Sequence, residues 1–115
     1  MLNSILIFFA ICLYIECVDV VYELEVKTVI FNPDGYPLPV IGVYEIGKPT
    51  DRPFPGPLIH ATIGDTLNIT VHNNLLERIS LHFHGIHLQN QVWMDGVVGI
   101  TECGIAPGTT FTYEF

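Results

Sequence analysis

Positive charge is scarce in this chain: four Lys and Arg stand against twelve Asp and Glu, a formal net charge of −8. A phosphate backbone is gripped by clustered cations, and Lys27, Lys48, Arg52 and Arg78 stand singly, which argues against a nucleic-acid partner. The acidic surplus is read first as a solubility feature and second as an attraction for cationic substrates. The chain also lacks an apolar run that could cross a bilayer. Its longest, Ile5 to Ile15, falls short of the roughly 20 residues a helical span needs, so no membrane span is expected. Internal repeats and low-complexity tracts are absent, which excludes solenoids and linkers. With 115 residues, half of them hydrophobic and 14% charged, a disordered chain is excluded and one domain is the ceiling.

The apolar run fits the core of a signal peptide over residues 1–17, with cleavage near Cys17 and Ile15 at the −3 place. No Lys or Arg precedes it, so an uncleaved anchor is the alternative. Export to the extracellular space is the expectation. Cysteine usage agrees: of three cysteines, Cys12 and Cys17 fall in the leader, which leaves Cys103 alone, with a partner elsewhere or a free thiol. The tripeptide Asn68-Ile69-Thr70 is a glycan acceptor sequence, compatible with the same route.

Beyond the leader there is no long segment with a period of 3.6, and the pattern is that of short strands. Val20 to Phe31 is rich in Val, Ile, Tyr and Phe with Glu23, Glu25 and Lys27 interleaved, which predicts a half-exposed strand. Asn32-Pro33-Asp34-Gly35 supplies a turn, and Val40 to Ile46 a second strand. Pro49, Pro53, Pro55 and Pro57 make residues 49–57 an extended surface loop. Leu58 to Ile63 predicts a short strand. Thr66 to His72 alternates, with Leu67, Ile69 and Val71 on one face and Asn68, Thr70 and His72 on the other, which puts the glycan sequence on the solvent side. Arg78 to His84 and Thr109 to Phe115 predict two further strands. This pattern indicates an all-β antiparallel sandwich or barrel. The last strand is still in progress at Phe115, so the domain is expected to be incomplete at its C-terminus.

Three of the five histidines fall in His82-Phe83-His84-Gly85-Ile86-His87. On a strand, His82 and His84 project from one face roughly 6–7 Å apart along the chain. That separation suits imidazoles serving neighbouring metal ions, and imidazole nitrogen matches copper well. Gly85 allows a sharp turn or a close backbone approach just after the pair. A bare His-x-His is equally compatible with polar residues falling on a solvated strand face.

Context decides between these readings. Phe54-Pro-Gly-Pro-Leu-Ile59, Gly64-Asp65 and Ile69-Thr-Val-His-Asn-Asn-Leu75 resemble the first cupredoxin domain of multicopper oxidases of the laccase type. Ser80-Leu-His-Phe-His-Gly-Ile86 is similar to that family's His-Trp-His-Gly motif, with Phe83 in the place of Trp. Trp93-Met-Asp-Gly-Val97, Thr101-Glu-Cys103 and Pro107-Gly108 follow in the family's order and spacing. The likeness covers nearly everything after the leader.

The resemblance implies a cupredoxin-like Greek-key β-sandwich over residues 18–115, a plastocyanin-like N-terminal domain. It implies copper as cofactor, with His82 on the type 2 copper and His84 on the type 3 pair. Those coppers form the trinuclear cluster that reduces dioxygen to water, with electrons from a phenolic or metal-ion donor oxidised elsewhere. Clustered metals suit a reaction that needs several electrons almost together. Cys103 resembles the family cysteine that forms a disulfide with a distant part of the chain, its partner outside this sequence. His87 has no ligand role in the motif, and His60 and His72 match no ligand position; all three are read as structural or exposed. Trp93 and Met94 are read as packing near their loop. Gly104 stands where the family commonly has Pro.

The second His-x-His pair of such a domain, the later histidine pairs and the cysteine segment of the blue copper site are not in the chain. One pair of imidazoles cannot close a trinuclear cluster, so the chain is expected to have no oxidase turnover alone. It is read as a partial gene model before a genuine truncated product. Two alternatives stand beside the oxidase: a non-enzymatic copper-binding cupredoxin module, and an adhesion-type β-sandwich with incidental histidines.

Overall fold

The computed structural model describes residues 17–49 and 53–115; the leader, apart from Cys17, lies outside the described residues. Four strands form one mixed sheet: β1 Asp19–Phe31, β2 Leu38–Glu45, β3 Thr66–Asn73 and β4 Thr110–Glu114, in the order β2-β1-β3-β4. β1 and β2 are an antiparallel hairpin in register from Leu24 opposite Glu45 to Phe31 opposite Leu38. Between them Gly35 takes φ +98° and the Asp34 carboxylate accepts the Tyr36 amide, as the Asn-Pro-Asp-Gly chemistry demands. β3 runs parallel to β1, and β4 antiparallel to β3.

Alternation sorts the side chains. Tyr22, Leu24 and Val26 of β1, Ile69 and Val71 of β3 and Tyr113 of β4 point to one face and are buried with Leu75 and Ile105. Burying an aliphatic side chain of this size contributes roughly 1.5–3 kcal/mol. The opposite face is polar: Thr70 and Thr112 join hydroxyls at 2.9 Å, and Glu25 pairs with Lys27 and Asn74. The apolar face is covered by irregular chain, from which Ile79, Leu81, Phe83 and Met94 pack against the core.

The all-β expectation holds, but the sheet is mixed rather than antiparallel because β3 pairs parallel to β1, and four of the six expected strands form. Leu58 to Ile63 is irregular chain that ends in a turn, tied down by the Tyr22 hydroxyl, which bonds both the amide and the carbonyl of His60. Arg78 to His84 makes a single antiparallel bridge, Ile79 opposite Ile105, and no strand. The Leu81 amide meets the Tyr113 hydroxyl, and the Phe83 carbonyl accepts the Ile86 amide. Of the proline-rich stretch, Pro53 meets the edge strand β2, where the Val43 amide donates to the Pro53 carbonyl at 2.8 Å.

One buried polar side chain organises the cover. Asn73, fully buried at the end of β3, donates to the carbonyls of Glu77 and Ile105 and accepts the Leu75 amide. It therefore ties the start of the 78–84 segment to the chain that returns toward β4.

Candidate metal centre

The segment Leu81–His84 keeps the alternation of a strand without a strand's partners. Leu81 and Phe83 turn toward the core, and His82 and His84 are exposed on the other side. Their ring centroids are 5.7 Å apart and the planes nearly perpendicular, at 88°. Gly85, at φ +80° with open space around its α-carbon, turns the chain away, and the Ile86 amide closes the turn on the Phe83 carbonyl.

His82 is oriented from one side. Its Nδ1 lies 2.7 Å from the backbone carbonyl of Asp95 and 3.6 Å from the Asp95 carboxylate. A carbonyl oxygen can only accept, so Nδ1 carries a proton, and in the neutral ring Nε2 is the nitrogen that holds the lone pair. A neutral imidazole fixed in this tautomer is what a divalent metal requires of a histidine ligand. Gly96 makes the contact feasible: at φ +77° it packs so closely that a β-carbon would fall 1.6 Å from the Leu81 carbonyl oxygen. A β-carbon at 96 would force the Leu81 backbone or the 95–96 backbone to shift.

The remaining histidines stand apart from the pair. His72 lies on the outer face of the sheet between Glu23 at 2.9 Å and the Thr110 hydroxyl at 3.1 Å. His60 is exposed and engaged through its backbone. His87 lines an open cleft of about 650 Å³ together with Leu88, Asn90 and Asp95, and neither His82 nor His84 lines it. Among the described residues, no three His, Cys, Asp or Glu side chains come together as a metal site. The structure thus offers two outward imidazoles with donor nitrogens of the right type, and a copper centre needs further ligands from outside the described residues.

A sequence profile described as multicopper oxidase matches residues 23–115. The chain belongs to the multicopper oxidase family. It is 46% identical over 96 residues to dihydrogeodin oxidase of Aspergillus terreus, covering 82% of this chain and 15% of that protein. Against laccase-1 of Cryptococcus neoformans var. grubii it is 42% identical over 94 residues, covering 82% and 14%. The laccase of Botrytis aclada superposes with a TM-score of 0.71 at 41% identity, over 86% of this chain and 17% of that one. The chain therefore spans about 15% of the length of the relatives it matches. Family membership sets aside the adhesion-type sandwich.

Other positions marked by the resemblance fall around this site. Cys103 is exposed with a free thiol among the described residues, in a loop pinned by Arg78, whose guanidinium donates to the carbonyls of Cys103 and Gly104. Gly104 takes φ +73°, which the ring of proline forbids, so the departure at this position goes with a distinct backbone path. The 3-10 turn Val92–Met94 packs the partly buried Met94 against the core and leaves Trp93 53% exposed. Sequence reasoning did not find the groups that fix His82: Asp95 acts through its backbone carbonyl, which any residue carries. The one local signal was the Asp-Gly pair, because a glycine marks a backbone approach no side chain permits.

Proposed function

We propose that His82 and His84 are this chain's contribution to the copper site of a secreted, laccase-like oxidase whose other ligands lie outside the described residues. The bond from His82 Nδ1 to the Asp95 carbonyl carries the proposal, because it engages Nδ1 and leaves Nε2 as the nitrogen available to a metal. On the family resemblance, His82 serves the type 2 copper and His84 the type 3 pair. Copper held there supplies one-electron redox chemistry for reducing dioxygen to water, with electrons from a phenolic, similar organic or metal-ion donor. This chain's residues contribute binding and orientation: the Asp95 carbonyl holds the His82 proton, and Phe83 anchors the segment between the two rings in the core. Residues 18–115 are the plastocyanin-like domain in this reading. Residues 1–17 act as a secretory leader, Cys103 pairs with a cysteine outside this sequence, and Asn68, on the polar face of β3, accepts a glycan. The charge pattern supports no nucleic-acid partner.

Copper analysis of the protein as isolated tests the proposal. The wild type is expected to carry copper, and His82→Ala and His84→Ala each to carry less; background copper in the wild type contradicts it. A second reading, a copper-binding module without turnover, has in its favour that only two ligands come together among the described residues. Oxygen uptake with a phenolic donor or Fe(II), measured on protein that also carries the segments supplying the other copper ligands, separates the two, since a module consumes none.

A further inference from the structure

Tyr113 is 0% exposed, yet it carries a hydroxyl into the core. A buried hydroxyl without partners costs free energy, and this one has two. It accepts the Leu81 amide at 3.0 Å and donates to Glu102 Oε1 at 3.0 Å. The directions are fixed by chemistry: an amide only donates, and the single phenolic proton goes to the carboxylate. Burial pushes the phenol well above its ordinary range, and the bond to Glu102 adds to this against the opposing Leu81 amide, so the donor is permanent.

Two of the residues that Tyr113 touches flank His82. Leu81, which precedes it, is bound through its amide; Phe83, which follows it, packs edge-on against the Tyr113 ring at 5.2 Å. The segment has no strand ladder beyond Ile79, so these contacts and the Gly96 approach on the Leu81 carbonyl fix where the His82 backbone sits. A phenylalanine at 113 would fill the same space and bind nothing at Leu81.

We infer that Tyr113, aligned by Glu102, is a positioning residue for the metal-binding imidazole of His82. The inference rests on the copper reading above and adds to it a pair of residues that touch neither metal nor substrate. Partners that orient a metal ligand typically change metal affinity by about 10–100-fold when removed.

The test uses the copper-loaded protein as isolated, with Tyr113→Phe, Glu102→Ala, Glu102→Gln and His82→Ala. Copper affinity is read by chelator competition, and the type 2 copper by its paramagnetic resonance spectrum. Tyr113→Phe is expected to bind copper about tenfold or more weakly, with an altered type 2 signal. Glu102→Ala should shift both readouts the same way, and Glu102→Gln should restore them, because its amide oxygen still accepts the phenolic proton. A Tyr113→Phe protein with wild-type affinity and spectrum overturns the inference even if its unfolding midpoint falls. If that variant does not fold, identical behaviour of Glu102→Ala and Glu102→Gln overturns it instead. Unchanged copper in His82→Ala overturns the copper reading itself, whereas loss there beside unchanged Tyr113→Phe and Glu102→Ala overturns only the positioning role.

Discussion

At the scale of single residues, the two most constrained positions around the site are Gly96 and Tyr113. Gly96→Ala must move the Leu81 carbonyl and hold an L-residue at φ +77°, so a loss of roughly 2–5 kcal/mol is expected in denaturant unfolding. A change within about 0.5 kcal/mol, the range of an ordinary surface substitution, would contradict the close approach. Tyr113 makes a prediction about alkaline pH. The folded state keeps the phenolic proton above the pH near which an unfolded chain releases it, about 10. Unfolding there releases a proton, so this contribution is fully present below about pH 10 and is lost as pH rises, with a slope approaching about 1.4 kcal/mol per unit. Unfolding curves across that range should show the slope in the wild type and a shallower one in Tyr113→Phe; equal slopes would contradict it. His82 and His84 were legible in the sequence because their relation is local, two residues along an extended chain. Tyr113 and Glu102 were not, because Tyr113 meets Leu81 across 32 positions of sequence.

Among the elements, β1 and β3 carry the fold. They lie side by side at the centre of the sheet and bury alternate residues on one face. Ile69→Ala, at 0% exposure, is expected to cost about 2–5 kcal/mol, and Ile63→Ala, at 97% exposure, less than about 0.5 kcal/mol, although both were read as strand residues. Thermal or denaturant unfolding of the pair checks this, and similar losses would refute the assigned face. The four strands that formed were legible because period-two alternation and Gly, Pro and Asn turns are properties of adjacent residues. The two that did not form show the limit of that signal: a strand needs a partner as well as a pattern. In Leu58 to Ile63 the Tyr22 hydroxyl takes the His60 backbone, and in Arg78 to His84 the Tyr113 hydroxyl takes the Leu81 amide. The buried role of Asn73 was illegible for the same reason, since its three backbone partners converge only in the folded chain.

For the whole molecule, a sheet with one polar and one apolar face supports an irregular cover, and the cover presents two imidazoles outward. Several short motifs in a fixed order made the family readable from the sequence, and the profile and structural likeness agree. The sequence could not show the tautomer of His82, which depends on a carbonyl 13 positions away. That tautomer is the centre of the account, and it specifies which nitrogen must meet the metal. Diffraction from crystals of the copper-loaded protein, with anomalous data at the copper edge, locates the ion directly. The account predicts copper bonded to Nε2 of His82, Nδ1 still on the Asp95 carbonyl, and copper also on the ring of His84. Both rings facing solvent with no copper beside them, or copper taken through Nδ1 of His82, would contradict it.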